Sequence, residues 1–292
     1  MIRKAIIFCV AFIFLYTGIV WLQFFIGNKW GKAPVQDKAQ NENTPKLYSF
    51  AFSKYTQTGE KQLEIEGDSA NILEKTVLLM NVVAKAYAEE SPVTITADRG
   101  DYDKAANKVH LEKNVIATTE NGTRLLTEEL QIHPDQHVME TDVPAQVKKD
   151  NINVDGVGAR GDSNLKKVTF KKNVTVVVQD PQDLKNGPTV ITCDGPLLID
   201  YEKNIAHFKK NVVAQDARGK LTADLMDVYY NRVSRRVSKI VALKNVVIEN
   251  PDGNKTYSDS VVYLADEGKI ILGGDTEGLY FGDDKGSEGA LF

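Results

Sequence analysis

Three glycines have the spacing that dinucleotide chemistry needs. Gly156, Gly158 and Gly161 match the Gly-x-Gly-x-x-Gly pattern of a loop that holds a pyrophosphate. Such a loop must open a helix inside a βαβ unit. Here it leads into residues 165–170, which have the composition of a strand. The pattern therefore favours a turn with close backbone approach, and we expect no nucleotide cofactor.

Two histidines raise the possibility of a metal site. His133 and His137 are four residues apart, a spacing at which both side chains share one face of a helix. Pro134 lies between them, and no third ligand is evident. Cys9 and Cys193 give neither a disulfide framework nor a pair of metal ligands. We therefore expect no metal.

Catalytic motifs are not found in the sequence. It has no Gly-x-Ser-x-Gly nucleophile, no phosphate-binding Gly-Lys-Ser/Thr and no cysteine paired with a histidine. Acidic pairs such as Asp101 and Asp103 occur at turns, where a solvated role is usual. We expect a protein that is not an enzyme and that uses no cofactor.

Composition narrows the class of partner. The chain has 292 residues, 42% of them hydrophobic and 26% charged, with a formal net charge of −4. A net acidic body without a basic stripe argues against nucleic acid as a partner. If the ligand is a lipid, this charge predicts that its head group stays mostly in water while its tails are held.

The N-terminal segment predicts a membrane anchor. Arg3 and Lys4 precede residues 5–26, which carry no charge and would be about 33 Å long as a helix, enough to cross a bilayer. A cleaved signal peptide would have a shorter apolar stretch and a small-residue cleavage site. We therefore predict one transmembrane helix in residues 1–27 and a polar linker in 28–46. These imply a single-pass membrane protein with its body outside the cytoplasm.

The remainder alternates apolar and polar residues with the period of a β-strand. Residues 93–97 and 108–112 are clear examples. Turn-forming pairs such as Asn121-Gly122 and Asp252-Gly253 separate such segments. The sequence therefore predicts an all-β chain of many short antiparallel strands.

A small unit recurs along these strands. The tripeptide Lys-Asn-Val begins at residues 113, 172, 210 and 244, and each copy ends one strand and begins another. We interpret its asparagine as a bulge or corner residue rather than as a ligand. The residues predicted to have structural turn roles are Asn114, Gly122, Asn211, Asn245 and Gly253.

These repeats carry a resemblance to a known family. Residues 95–103 (ITADRGDYD), 107–115 (NKVHLEKNV) and 121–130 (NGTRLLTEEL) resemble the LptC family of lipopolysaccharide export proteins. Residues 190–274 are similar to the related OstA or LptA periplasmic repeat.

The resemblance implies an architecture as well as a division of the chain. The expected fold is a twisted, partly open antiparallel β-jellyroll built from OstA-like repeats. Its LptC-like module would cover residues 47–185 and its OstA/LptA-like module residues 186–275. Residues 276–292 would form a tail.

The resemblance also implies function and partners. A member of this family would receive lipopolysaccharide at the inner membrane and pass its acyl chains along an apolar groove toward the outer membrane. It would contact an inner-membrane ABC transporter permease complex. It would also pair an edge strand with a periplasmic OstA/LptA-like protein.

Alternation selects the candidates for the groove-lining, lipid-binding positions. In the first module these are Ile95, Ala97, Val109, Leu111, Val115, Leu126, Leu130 and Ile132, and in the second Ile191, Phe208, Val212, Leu221, Val241, Leu243 and Ile248. The same pattern would arise from a closed, packed core. The alternative function is a structural or adhesive β-repeat protein of the cell envelope that binds no lipid.

Overall fold

The computed structural model describes residues 45–87, 92–162, 164–179, 187–234 and 236–280, which form an almost entirely antiparallel β-sheet. Its strands are β1 (Lys46–Tyr55), β2 (Lys61–Ile72), β3 (Thr76–Ala86), β4 (Val93–Asp103), β5 (Lys108–Thr118), β6 (Arg124–His133), β7 (Val138–Lys149), β8 (Ile152–Asp162), β9 (Lys167–Val178), β10 (Thr189–Cys193), β11 (Leu197–Asp200), β12 (Ile205–Asp216), β13 (Gly219–Asn231), β14 (Arg236–Glu249), β15 (Lys255–Leu264), β16 (Lys269–Gly273) and β17 (Glu277–Leu279). A single 3-10 turn, Pro134–Gln136, separates β6 from β7. The predicted all-β class is confirmed.

The strands form a meander in which neighbours in the chain are neighbours in the sheet. β10 and β11 together take the place of one strand, because each pairs with β9 on one side and β12 on the other. A cis peptide bond between Gly195 and Pro196 lies between them. The predicted boundary between the two modules falls in residues 180–186, outside the described residues. β9 and β10, on either side of it, pair directly.

Alternation along each strand places one face in an apolar interior. In β5, Val109, Leu111, Val115 and Ala117 are at most 1% exposed, and the residues between them face outward. Fully burying a valine or leucine side chain contributes about 1.5–3 kcal/mol. The buried residues of β2 to β15 form one continuous cluster, so the inner face of the whole meander surrounds a shared core.

The recurring Lys-Asn-Val tripeptides are bulges in the middle of β5, β9, β12 and β14. Asn114, Asn173, Asn211 and Asn245 have φ values of 50°, 55°, 51° and 51°, in the left-handed region that asparagine tolerates better than most residues. At each bulge the strand supplies one residue more than a neighbouring strand. An extra residue of this kind bends the strand.

Three of these asparagines are fixed by the same hydrogen bond. In each case the side-chain amide donates to an aspartate in or beside the preceding strand. The bonds are Asn114 to Asp98 at 2.8 Å, Asn211 to Asp194 at 2.6 Å and Asn245 to Asp224 at 2.8 Å. Each of these aspartates ends a Thr-x-Asp sequence, so a Thr-x-Asp and a Lys-Asn-Val sequence meet at these three corners.

Two glycines close the hairpin turns at which the sequence predicted them. Gly122 and Gly253 have φ values of 83° and 86°. Their N–H groups donate to the carbonyls of Thr119 and Asn250, both at 3.0 Å. Only glycine adopts these angles at little energetic cost.

The bends fold the meander over its own inner face. Lys149, the last residue of β7, and Lys166, in the turn after β8, line the same recess. The Tyr230 hydroxyl donates to Asn151 Oδ1 at 2.6 Å, which joins β13 to the β7–β8 turn although these elements do not share a strand pairing. The interior is therefore enclosed by strands that face each other.

The sheet keeps two open edges. Among the described strands, β1 pairs with β2 alone, and β16 and β17 each pair with β15 alone. On β16, Ile270, Ile271 and Leu272 are 50%, 43% and 38% exposed. Three consecutive exposed apolar residues on an edge strand, which has one side without a paired strand, are a ready template for another strand.

Some predicted segments lie outside the described residues. These include the predicted transmembrane helix, 1–27, and nearly all of the linker, 28–46. In the described part of the chain, no helix is long and apolar enough to cross a membrane. β17 falls at the start of the predicted tail, 276–292, most of which is also outside the description.

The corner geometry gives a prediction for stability. Asn211→Ala removes the hydrogen bond to Asp194. It also places alanine, whose Cβ disfavours this backbone angle, at positive φ. We therefore expect the free energy of unfolding to fall by about 2 kcal/mol. Asn211→Gly should lose about half as much, because glycine adopts the same φ freely. Urea unfolding of the full chain, followed by circular dichroism, measures both. Lys209→Ala, at an exposed neighbouring position, is the control; equal stability of the Asn211→Ala and Lys209→Ala variants would contradict this account.

Candidate functional site: an apolar interior cavity

An apolar cavity of about 270 Å³ opens in the interior between β7 and β14. Its walls are inward-facing side chains from both arms of the bent sheet. The apolar residues that line it are Ile152, Val154, Val176, Val178, Ile191, Leu197, Ile199, Ile205, Ala206, Phe208, Val228 and Val237. Such a lining offers an aliphatic chain contact on all sides and few polar groups that would have to lose water.

A second cavity, of about 420 Å³, adjoins the first. Val178 and Val237 line both, so the two spaces share a wall. The apolar lining continues toward the C-terminal edge through Ala214, Leu221, Ile240, Ile248, Val261, Tyr263 and Ile270. The apolar path therefore runs from β8 to the open edge strand β16.

The rim of the second cavity is charged. Asp216 and Arg218 pair there, with Arg218 Nε donating to Asp216 Oδ2 at 3.0 Å. Burial acts to raise the pKa of Asp216, but the hydrogen bonds and charge of Arg218 outweigh it and lower that pKa. The carboxylate is therefore ionised and held at the rim, where it leaves the apolar walls undisturbed.

A polar recess of about 230 Å³ adjoins the other end of the first cavity. Asn121, Lys149, Tyr201 and Arg232 line both spaces. The Lys149 ammonium lies 4.6 Å from the centre of the Tyr201 ring. Burial raises the pKa of the Tyr201 phenol, so this hydroxyl is a hydrogen-bond donor at neutral pH.

The interior of the first half of the sheet is packed instead. Leu63, Ile65, Leu79, Leu130 and Met139 are at most 1% exposed, and they belong to the same core cluster. The cavities therefore belong to the region from β7 to β16, and the strands before it provide a filled core.

Twelve of the fifteen predicted groove residues face the interior. Those in the packed core are Ile95, Ala97, Val109, Leu111, Val115, Leu130, Ile132 and Val212, all at most 6% exposed. Those that line a cavity are Ile191, Phe208, Leu221 and Ile248. The structure thus brings four of the seven second-module candidates together around open space.

The other three, Leu126, Val241 and Leu243, lie on the outer face, which corrects their predicted inward orientation. Leu243 is 39% exposed. The inward positions belong to their neighbours Leu125 and Ala242, which are 4% and 0% exposed.

The corners explain these errors. In β6 two consecutive corner residues, Glu128 and Glu129, are both exposed, so the inward positions change from odd to even numbers. In β14 three consecutive residues, 243–245, are exposed, so the inward positions stay even on both sides. Simple alternation misses the change in β6. In β14 it keeps the even positions, so the prediction of Val241 and Leu243 as inward assumed a change that this corner does not make.

Several cavity residues were not among the predicted positions. Val176 and Val178 lie in a run of consecutive valines, 176–178, where both faces of the strand are apolar and the alternation signal vanishes. Ile152, Val228 and Val237 lie close to strand ends, where only their distance from a corner fixes their orientation. Counting residues from each Lys-Asn-Val corner, and assigning inward and outward positions from there, could have identified them.

The glycine motif and the histidines occupy structural positions. Gly156 lies within β8, and a Cβ at this position would lie 2.6 Å from Phe170 Cδ1, so its role is close packing. The His133 ring is 3.2 Å from Glu140, and His137 ends the 3-10 turn at a φ of 53°. Across the residues that the structure describes, no group of three or more potential metal ligands is found.

The chain matches a known protein family. The family model described as lipopolysaccharide-assembly, LptC-related, matches residues 8–179, more than half of the chain. The match ends directly after β9, so the strands on the far side of the cavity lie beyond it. No curated protein sequence matches the chain. Membership of this family implies a role in lipopolysaccharide transport. The family is not known to be catalytic. The chain belongs to the family of LptC-related lipopolysaccharide-assembly proteins.

Proposed function

We propose that the chain carries the acyl chains of lipopolysaccharide in its two adjoining cavities, between a donor at the inner membrane and an acceptor on the way to the outer membrane. The observation that carries this proposal is the apolar cavity of about 270 Å³, which shares a wall with the second cavity. Each methylene kept from water contributes about 0.8 kcal/mol, so a chain of roughly a dozen carbons would cost on the order of 10 kcal/mol to move bare. The cavity removes most of that barrier.

The N-terminal sequence supports a location for this activity. Residues 1–27 would hold the protein in the inner membrane by a single pass, and residues 28–46 would let the body stand in the periplasm. Nothing in the cavity supplies energy for directed movement. An ABC transporter permease complex beside the anchor would provide it.

The exposed edge at β16 supports an acceptor that binds by strand pairing. Ile270 lines the second cavity and lies on this edge strand, so a strand added here would extend the sheet and its apolar inner face together. A periplasmic OstA/LptA-like protein has the required architecture. Acyl chains would then pass from one apolar interior to the next without entering water.

A structural or adhesive filament is the competing function. Open edges at β1 and β16 would also allow end-to-end assembly. A filament, however, gains nothing from an empty apolar interior, because leaving such a space unfilled lowers stability. The cavity therefore favours lipid carriage.

We predict that lipopolysaccharide is captured from cavity positions. A photoreactive residue at Phe208 or Ile248, both of which line a cavity, should yield a covalent adduct in cells that assemble lipopolysaccharide. Lys209 and Leu243, exposed positions on the same two strands, are the matched controls and should yield none. Adducts are detected by antibody against the polysaccharide after electrophoresis. Folded protein with no adduct at either cavity position would favour the filament.

We also predict that β16 is the acceptor edge. A photoreactive residue at Leu272, which is 38% exposed on this edge strand, should give an adduct with a periplasmic β-repeat protein. Leu198 is equally exposed at 39% but lies on the internal strand β11, so it should give none. Mass spectrometry identifies the partner. Capture only of a second copy of this chain would count against an OstA/LptA-like acceptor.

A further inference from the structure

The recess at the end of the first cavity has an unusual charge balance. Lys149, Lys166 and Arg232 line it, against one carboxylate, Glu202. That carboxylate is already engaged, since Glu202 Oε1 lies 3.1 Å from the Lys166 ammonium. Among the described residues, no carboxylate forms an ion pair with Lys149 or Arg232. The recess therefore holds two cationic side chains that have no ion-pairing carboxylate among the described residues.

The surroundings of Lys149 make this arrangement unfavourable when the recess is empty. Burial lowers the pKa of Lys149, and the nearby positive charge of Arg232 lowers it further; together they outweigh the opposite effect of the Asp150 carboxylate. A half-buried ammonium beside a second cation is stabilised when an anion binds to both. The site is therefore electrostatically prepared for a negative charge.

Neutral hydrogen-bonding groups complete the recess. The Tyr201 hydroxyl is buried, and no described group lies within hydrogen-bonding distance of it. A buried hydroxyl without a partner costs roughly 1–3 kcal/mol, so a buried donor of this kind calls for an acceptor. Because Tyr201 lines both the recess and the apolar cavity, it marks the point at which a polar group would follow an aliphatic chain.

We propose that Lys149, Arg232 and the Tyr201 hydroxyl bind the phosphate monoester of a phosphorylated amphiphile whose acyl chain lies in the adjoining cavity. This inference rests on the proposed lipid-carrying function and adds a head-group site to it. A phosphate monoester carries nearly two negative charges and three acceptor oxygens, which match two cations and one hydroxyl donor. The net negative charge of the body predicts no site for a charged head group. The local arrangement of Lys149, Arg232 and Tyr201 nevertheless provides one.

The test compares amphiphiles that differ only in the phosphate. The full chain, held in nanodiscs of zwitterionic lipid, is titrated calorimetrically with monododecanoylglycerol and with its phosphate ester, and empty nanodiscs are subtracted. We expect the phosphate ester to bind at least about tenfold more tightly at low salt, through charge-assisted hydrogen bonds. The difference should shrink as salt is added.

Charge-matched variants assign the preference to this site. In the double variant Lys149→Gln/Arg232→Gln the phosphate preference should disappear, while monododecanoylglycerol binds as before. Arg124→Gln/Lys148→Gln removes the same charge from an exposed pair on the outer face, where these residues are opposite each other in the register, and should keep the preference. Circular dichroism confirms that both variants are folded.

The possible outcomes distinguish the head-group site from the proposed lipid-carrying function. If both amphiphiles bind but the phosphate gives no preference, or the preference survives in the Lys149/Arg232 variant, the head-group site is refuted and lipid carriage stands. If neither amphiphile binds, lipid carriage in the cavity fails and the head-group site with it. If inorganic phosphate alone binds as tightly as the phosphate ester, the recess is a site for free anions and not for a lipid head group.

Discussion

The left-handed backbone of the corner asparagines is the constraint on which the rest of the structure depends. The described residues form a meander of seventeen strands. If this meander were flat, its apolar face would be exposed to water. An extra residue at positive φ bends β5, β9, β12 and β14 at their middles, and the two arms of the sheet can then cover each other. Asparagine meets both demands of this position, because it tolerates the backbone angle and its amide reaches an aspartate on the preceding strand.

The same bend encloses a packed core in one part of the sheet and cavities in another, although both parts are built from the same repeat. Between β2 and β6, large aliphatic residues such as Leu79 and Leu111 are at most 1% exposed and fill the interior. From β7 onward, β10 and β11 are short and interrupted, and the facing side chains leave space between the arms. Cavity and packed core are therefore variants of one architecture, in which side-chain volume and strand continuity decide which one forms.

The sequence was sufficient to predict the all-β class, since period-two alternation and turn glycines are local signals. Residues in long, regular stretches, such as Val109 and Leu111, were oriented correctly. Leu126 and Leu243 were not, because their orientation depends on whether a corner contributes two or three outward residues. The head-group recess could not be predicted at all, since Lys149 and Arg232 are far apart in the chain and meet only when the sheet folds over.

Native mass spectrometry of the full chain, purified from cells that make lipopolysaccharide, tests the central claim most directly. The account predicts one bound lipopolysaccharide for the unmodified protein, and its loss in Ala206→Trp, which fills the first cavity. His207→Trp, at the next position on the outer face, should keep it. Folded Ala206→Trp protein that retains full lipopolysaccharide occupancy, or unmodified protein that carries none, would contradict the claim that this cavity carries the lipid.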